Sequence, residues 1–200
     1  MEFCGQASGW SKFSLLFLLA AIAIQCTAIG TPCWMKSCKI NNSVNITIGL
    51  WRMVNCSGSL TLPCRGMSLT SNYETNLMHT TRQLELTVLL FIVLAAILSF
   101  FYVTSPGART QRVAAWVMLL SFFSMGFAIA GIVVWILNLP DDHYMYWSAG
   151  MAAMAGAMCM VSGILIIQDI RMFDYNGIRR KHDLKKAKKL AKKQRKDMLL

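Results

Sequence analysis

The chain has 200 residues, 56% hydrophobic and only 14% charged, with 20 Lys and Arg against 9 Asp and Glu and a formal net charge of +11. That composition excludes an ordinary soluble domain, because the charge is badly spread: 12 of the 20 cations lie from Arg171 onward. The remaining body is nearly free of charge over runs long enough to cross a bilayer, which takes about 20 apolar residues per helix.

The first run, "FSLLFLLAAIAIQCTAIG", predicts a span over 13–30. Its length, and the lack of a clean small-x-small site before Thr31, favour a retained helix over a cleaved signal peptide. Residues 31–83 form a long loop, rich in Ser, Thr and Asn. Within it, "NNSVNITIGLW" alternates as a strand does, with Val44, Ile46 and Ile48 on one face and Asn45, Thr47 and Gly49 on the other. The segment "CSGSLTLPC" reads as a turn and a second short strand. Two strands are marginal alone. A Cys56–Cys64 disulfide would close a small loop there and contribute roughly 2–4 kcal/mol. The loop's four cysteines, Cys33, Cys38, Cys56 and Cys64, allow three connectivities. Cys56–Cys64 is favoured, with Cys33–Cys38 as a candidate second bridge. Leu50 and Trp51 are expected to anchor the sheet onto the helix ends.

Three further spans are predicted at 84–103, 113–137 and 144–167. The link "TSPGARTQR" between the second and third carries Arg109 and Arg112, and the tail is heavily basic. Both sit on one side of four spans, so the positive-inside rule makes that side cytoplasmic, together with residues 1–12. Loops 31–83 and 138–143 then face outward. Three N-x-Ser/Thr sequons, at Asn41, Asn45 and Asn55, all fall in the long outer loop, where glycosylation would need them. So do the four cysteines, which form disulfides in an oxidising compartment. Trp34, Tyr102, Trp135, Tyr144, Tyr146 and Trp147 stand near span ends and read as an interfacial aromatic belt.

Small residues recur in the last two spans: Gly126, Ala130 and Gly131 in one, Gly150, Ala153, Ala157 and the Ala152–Gly156 pair in the other. That spacing lets helix backbones approach closely, chiefly for packing within the chain. Met151, Met154, Met158 and Met160 read as filling rather than Cu(I) ligands, since no His or Cys pattern converges with them. Ionisable residues in the spans are scarce and Glu85 lies near an end, so a proton-coupled path is not expected. His79, His143 and His182 are far apart. No catalytic residues, cofactor or metal site are therefore expected, and the chain is read as no enzyme. Residues 171–200 form a basic cytoplasmic tail, in which Leu184, Ala187, Leu190 and Ala191 give a thin apolar stripe at helical spacing. Lys185, Lys186, Lys188, Lys189, Lys192 and Lys193 would meet anionic inner-leaflet lipid, each gaining about 1 kcal/mol near the surface; nucleic acid is not expected.

Together these readings give a membrane all-α protein: a four-helix transmembrane bundle (13–170) with a small extracellular antiparallel β-sheet. The pattern resembles the superfamily of claudins, peripheral myelin protein, epithelial membrane proteins and calcium-channel γ-subunits. The resemblance rests on Trp34 after the first span, on Gly49, Leu50 and Trp51, on Cys56 and Cys64, and on Arg82 before the second span. It spans about residues 10 to 170 and is specific to the superfamily, not to one member. Four residues, "RMVN", separate Gly-Leu-Trp from the first cysteine, where the family usually has two. The second outer loop is short, and the ending "KDMLL" is not the scaffold-docking Tyr-Val of many claudins.

The resemblance implies a plasma-membrane protein of cell–cell contacts or junctions, associating with itself or related tetraspan proteins and forming a paracellular barrier or pore. Lys36, Lys39, Arg52, Arg65 and Arg82 against Glu74 would give such a pore an anion preference. The alternative it implies is an auxiliary subunit of a channel or receptor, or a membrane organiser like the peripheral myelin and epithelial membrane proteins.

Overall fold

Helix α1, Gly9–Gly30, begins where the Ser8 hydroxyl accepts the Ser11 N–H and ends at Thr31, whose following proline disfavours another helical turn. In this computed structural model, the described residues are 8–37, 44–57, 64–69, 74–137, 139–140 and 142–197, without side chains at 44, 45, 57 and beyond 172. Helix α2, Asn76–Thr104, starts two turns before the predicted span, because Thr75 caps it by accepting the Met78 N–H. A short 3-10 turn, Pro106–Ala108, leads to α3, Gln111–Leu137. Helix α4, Trp147–Asp197, runs unbroken for 51 residues, so the predicted last span and the basic tail are one helix.

Four helices are long and apolar enough to cross a membrane: Gly9–Gly30, Asn76–Thr104, Gln111–Leu137 and the Trp147–Met172 part of α4. They close into a ring in which α1 packs on α2 and α4, and α3 packs on α2 and α4. The pattern of burial is the reverse of a soluble bundle's. Leu16, Phe13, Phe100, Phe101, Trp116 and Phe123 face outward, while Ser14, Gln25, Glu85, Ser99, Ser121, Ser124 and Ser162 are buried. Lipid tails are as apolar as Leu, so burying Leu between helices gains little; close packing and interhelical hydrogen bonds hold the bundle instead. The Ser14 and Ser162 hydroxyls meet at 2.7 Å between α1 and α4. A Cβ on Gly156 would stand 3.0 Å from Ala128 Cβ, so the Ala152–Gly156 face packs α4 on α3. Gly150, Ala153 and Ala157 point outward from the same helix.

Five strands make one antiparallel sheet at the helix ends: β1 (Met35–Ser37), β2 (Val44–Ile48), β3 (Arg52–Ser57), β4 (Arg65–Ser68) and β5 (His143–Met145), in the order β4-β3-β2-β1-β5. The predicted β2 alternation holds, with Ile48 fully buried and Ile46 packed on the core beneath. The second strand lies earlier than expected: Arg52–Ser57 pairs with β2, and Cys56 is already inside it. The predicted start of the last span is also displaced. Residues 143–145 pair with β1, Met35 opposite Met145, instead of opening a helix. The sheet is therefore stitched from both loops.

Candidate functional site

The motif residues converge where the sheet meets the bundle. Gly49, Leu50 and Trp51 form the β2–β3 hairpin turn, closed by the Gly49 N–H donating to the Arg52 carbonyl at 3.0 Å. Gly49 lies flat against the end of α1: a Cβ there would fall 2.5 Å from Pro32 Cα and 2.7 Å from the Thr31 carbonyl. No side chain fits. Leu50 inserts into the core, 1% exposed. Its carbonyl accepts the Arg82 Nε–H at 2.6 Å, so α2 grips the turn directly. Arg82 is only 11% exposed in its side chain; it also donates to Glu74 at 3.2 Å and places its guanidinium 5.2 Å from the Trp51 ring centre.

Trp51 is 45% exposed and does not anchor the sheet. It lies over Arg82 because the tight turn aims successive side chains in opposite directions, Leu50 inward and Trp51 outward. The anchor is Trp34, wholly buried, with its Nε1–H donating to the Ala28 carbonyl at 2.7 Å and its ring edge-on to Trp135 at 5.2 Å. An indole N–H there occupies one of the carbonyls that a helix C-terminus leaves without an intrahelical donor. The belt reading thus fails for Trp34 and Trp135, which meet each other inside the protein. It also fails for Tyr102, which is 4% exposed. Tyr144 and Trp147 are exposed as a belt requires.

Beyond the hairpin, Cys56 and Cys64 form the expected disulfide, fastening β3 to the start of β4. The candidate Cys33–Cys38 bridge is not formed. Cys33 is a free thiol engaged with Trp147 at the head of α4, and Cys38 lies outside the described residues. Partial burial pushes the Cys33 thiol above its ordinary value, against the hydrogen bond with Trp147 that pulls it down. Cys33 also fixes the junction through its backbone, accepting the Ser148 N–H at 3.0 Å while Trp34 accepts that of Tyr146 at 2.9 Å. Of the sequons, Asn55 is half-buried in the middle of β3, opposite Ile46 and Arg65; Asn45 lies on β2 opposite Cys56; Asn41 is outside the described residues. The side chains of Lys185 to Lys193 are likewise outside them, and the backbone there is helical.

Of two buried acids, the sequence reading set Glu85 aside as lying near a span end and did not single out Asp169. Glu85 is fully buried in the bundle and accepts the Gln25 Nε2–H at 2.6 Å, and Gly131 of α3 leaves the space that its carboxyl fills. Asp169 accepts the Tyr102 hydroxyl at 2.7 Å and the Ser8 hydroxyl, tying α4 to α2 and to the start of α1. Arg109 closes the same end, donating to the Tyr102 carbonyl at 3.3 Å and the Val103 carbonyl at 3.0 Å. Polar residues alone inside apolar runs were the available signal, since an acid in hydrocarbon needs a named partner. Gln25 and Glu85 are that pair.

The sheet exposes a basic, partly apolar surface at its β3–β4 side, with Arg52 on the face away from the bundle, as Lys36 is, and Arg65 and Met67 on the face they share with the buried Met53. Every residue of β4, including Arg65 and Met67, is exposed, as are Trp51 and Arg52. Strand β4 is also one of the sheet's two edges, β5 being the other. Compared with known proteins, the chain matches no family model and no curated protein.

Proposed function

We propose that this chain is a claudin-like plasma-membrane protein that organises cell–cell contacts, with its sheet outside and both termini in the cytoplasm. The observation that carries the reading is the edge at β4, wholly exposed, with Met67 in it and Trp51 near it, and pairing with no strand but β3 among the described residues. An unpaired strand edge is a template for another strand, and here it would join a neighbouring copy or a related tetraspan protein side by side. The carbonyl bond from Arg82 and the disulfide hold that edge in place, as a contact surface needs. Lys36 and Arg52 on one face and Arg65 on the other leave the sheet cationic, with Glu74 the one acid in the loop, so a barrier or pore built from it would favour anions. The basic continuation of α4 would then lie in the cytoplasm near anionic lipid.

The test is expression in an epithelial sheet, with crosslinking in mild detergent and paracellular conductance. The reading expects recovery of the chain with itself and junction proteins, and anion preference. Cation-selective conductance would end the pore form of the proposal. A second reading, an auxiliary subunit of a channel or receptor, draws on the outward Gly150, Ala153 and Ala157 face of α4, where a partner helix can approach closely. Stoichiometric recovery of a channel or receptor would replace the first reading with this one.

A further inference from the structure

A groove of about 400 Å³ runs along the lipid-facing side of the bundle between α1 and α2. Its walls are Leu15, Leu19 and Ile22 from α1, and Ile97 and Phe100 from α2, with the small Ala96 as floor; no polar atom lines it. Residues Leu15 to Ile22 rise about 10 Å along the helix, most of one leaflet's share of a hydrocarbon core about 30 Å thick. The groove is open to the membrane along its length, at the end of the bundle that holds the α1 N-terminus and the α2–α3 link.

Lys12 marks that end. It falls at i, i+3, i+7 and i+10 spacing with Leu15, Leu19 and Ile22, on the same face of α1, one turn beyond the groove. Among the described residues no carboxylate pairs with it. A lysine stem bends toward the interface while its ammonium reaches polar groups. Thr104, exposed on the last turn of α2, stands one turn beyond Phe100 on the opposite wall. An apolar slot about one leaflet deep, with a cation at its interfacial mouth that no described carboxylate pairs, matches a lipid that has an acyl chain below and a negative head above.

We propose that this groove is a specific site for one anionic phospholipid, its acyl chain seated between α1 and α2 and its phosphate held by Lys12. The site is separate from the sheet surface of the proposed contact function and from the basic part of α4. It holds whether or not the chain joins cells.

The experiment is native mass spectrometry of the full chain from nanodiscs of phosphatidylserine and phosphatidylcholine in equal parts, with and without cholesterol. One phosphatidylserine should remain per chain, preferred about five-fold, the factor that about 1 kcal/mol per basic residue near the lipid surface gives. Lys12→Gln should retain a lipid but abolish the preference. Leu19→Trp, a change on an outward-facing wall, should abolish retention while Lys12 remains. A chain with Lys185, Lys186, Lys188, Lys189, Lys192 and Lys193 all changed to Gln should keep the preference. Equal retention of the two phospholipids by the unaltered chain would overturn the proposal. So would displacement by cholesterol, or a preference that follows the tail substitutions instead of Lys12.

Discussion

Arg82 is the most informative single position, because interactions of different expected strength meet on it, three of them decisive beside a long 3.4 Å contact with His79. Changing Arg82 to Ala removes the 2.6 Å bond to the Leu50 carbonyl, the Trp51 ring contact and the Glu74 pair. A hydrogen bond from a charged donor contributes about 1.5–3 kcal/mol, and its loss strands a carbonyl on a residue that is 1% exposed. The ring contact, on a half-exposed Trp51, adds about 0.5–1 kcal/mol. Glu74 is 43% exposed in its side chain, so its pair with Arg82 contributes under about 1 kcal/mol. Arg82→Ala should therefore destabilise the hairpin by about 2–4 kcal/mol, and Glu74→Ala by less than about 1. Arg82→Lys should fall close to Ala, since an ammonium cannot keep the planar Nε donor and the ring contact together. Hydrogen exchange of the β2–β3 amides in nanodiscs reads the effect locally. If Glu74→Ala loosened those amides as much as Arg82→Ala, the carbonyl grip would not be what holds the turn.

Four other outcomes follow from the same geometry. Gly49→Ala should abolish surface delivery, because its Cβ meets backbone at 2.5 Å, whereas Gly66→Ala, with nothing within 4 Å, should pass unnoticed in a surface-labelling assay. Trp34→Ala should cost about 3–5 kcal/mol in thermal denaturation and Trp51→Ala under about 1, the reverse of the order expected if the Gly-Leu-Trp tryptophan were the anchor. Tyr102→Phe leaves a buried Asp169 oxygen without its donor and should cost about 1–3 kcal/mol by the same measurement. For Cys33, burial favours the neutral thiol, so the thiolate population is moved to higher pH than for an ordinary cysteine. Its alkylation rate in folded chain should still be climbing above pH 9; a plateau below pH 8 would contradict the burial argument.

The spans were legible because a bilayer imposes a length that few other constraints mimic, and all four runs became helices apart from residues 144–146 at the head of the last. Strand β2 was legible because its alternation, Ile46 and Ile48 against Thr47, records one buried face. Strand β5 was not. Three residues, His143 to Met145, carry no period of their own and become a strand only because β1 offers them an edge. The aromatic belt was misread for a related reason. Tryptophan at a span end can face lipid or the bundle, and Trp34 turns inward because the Ala28 carbonyl and Trp135 are there to receive it. Of the motif residues, composition pointed to the disulfide. The meeting of Gly49, Leu50 and Arg82 depends on contacts 32 residues apart along the chain, which no local pattern encodes.

The union of β5 with β1, followed at once by α4, has a mechanical consequence. The sheet is joined by backbone hydrogen bonds to the head of a helix that continues without a break for 51 residues, about 76 Å at 1.5 Å per residue. A rod of that length is a lever. A tilt of about 5° at the sheet would sweep its far end sideways by about 7 Å, so a contact made on one side of the membrane would be felt on the other as displacement.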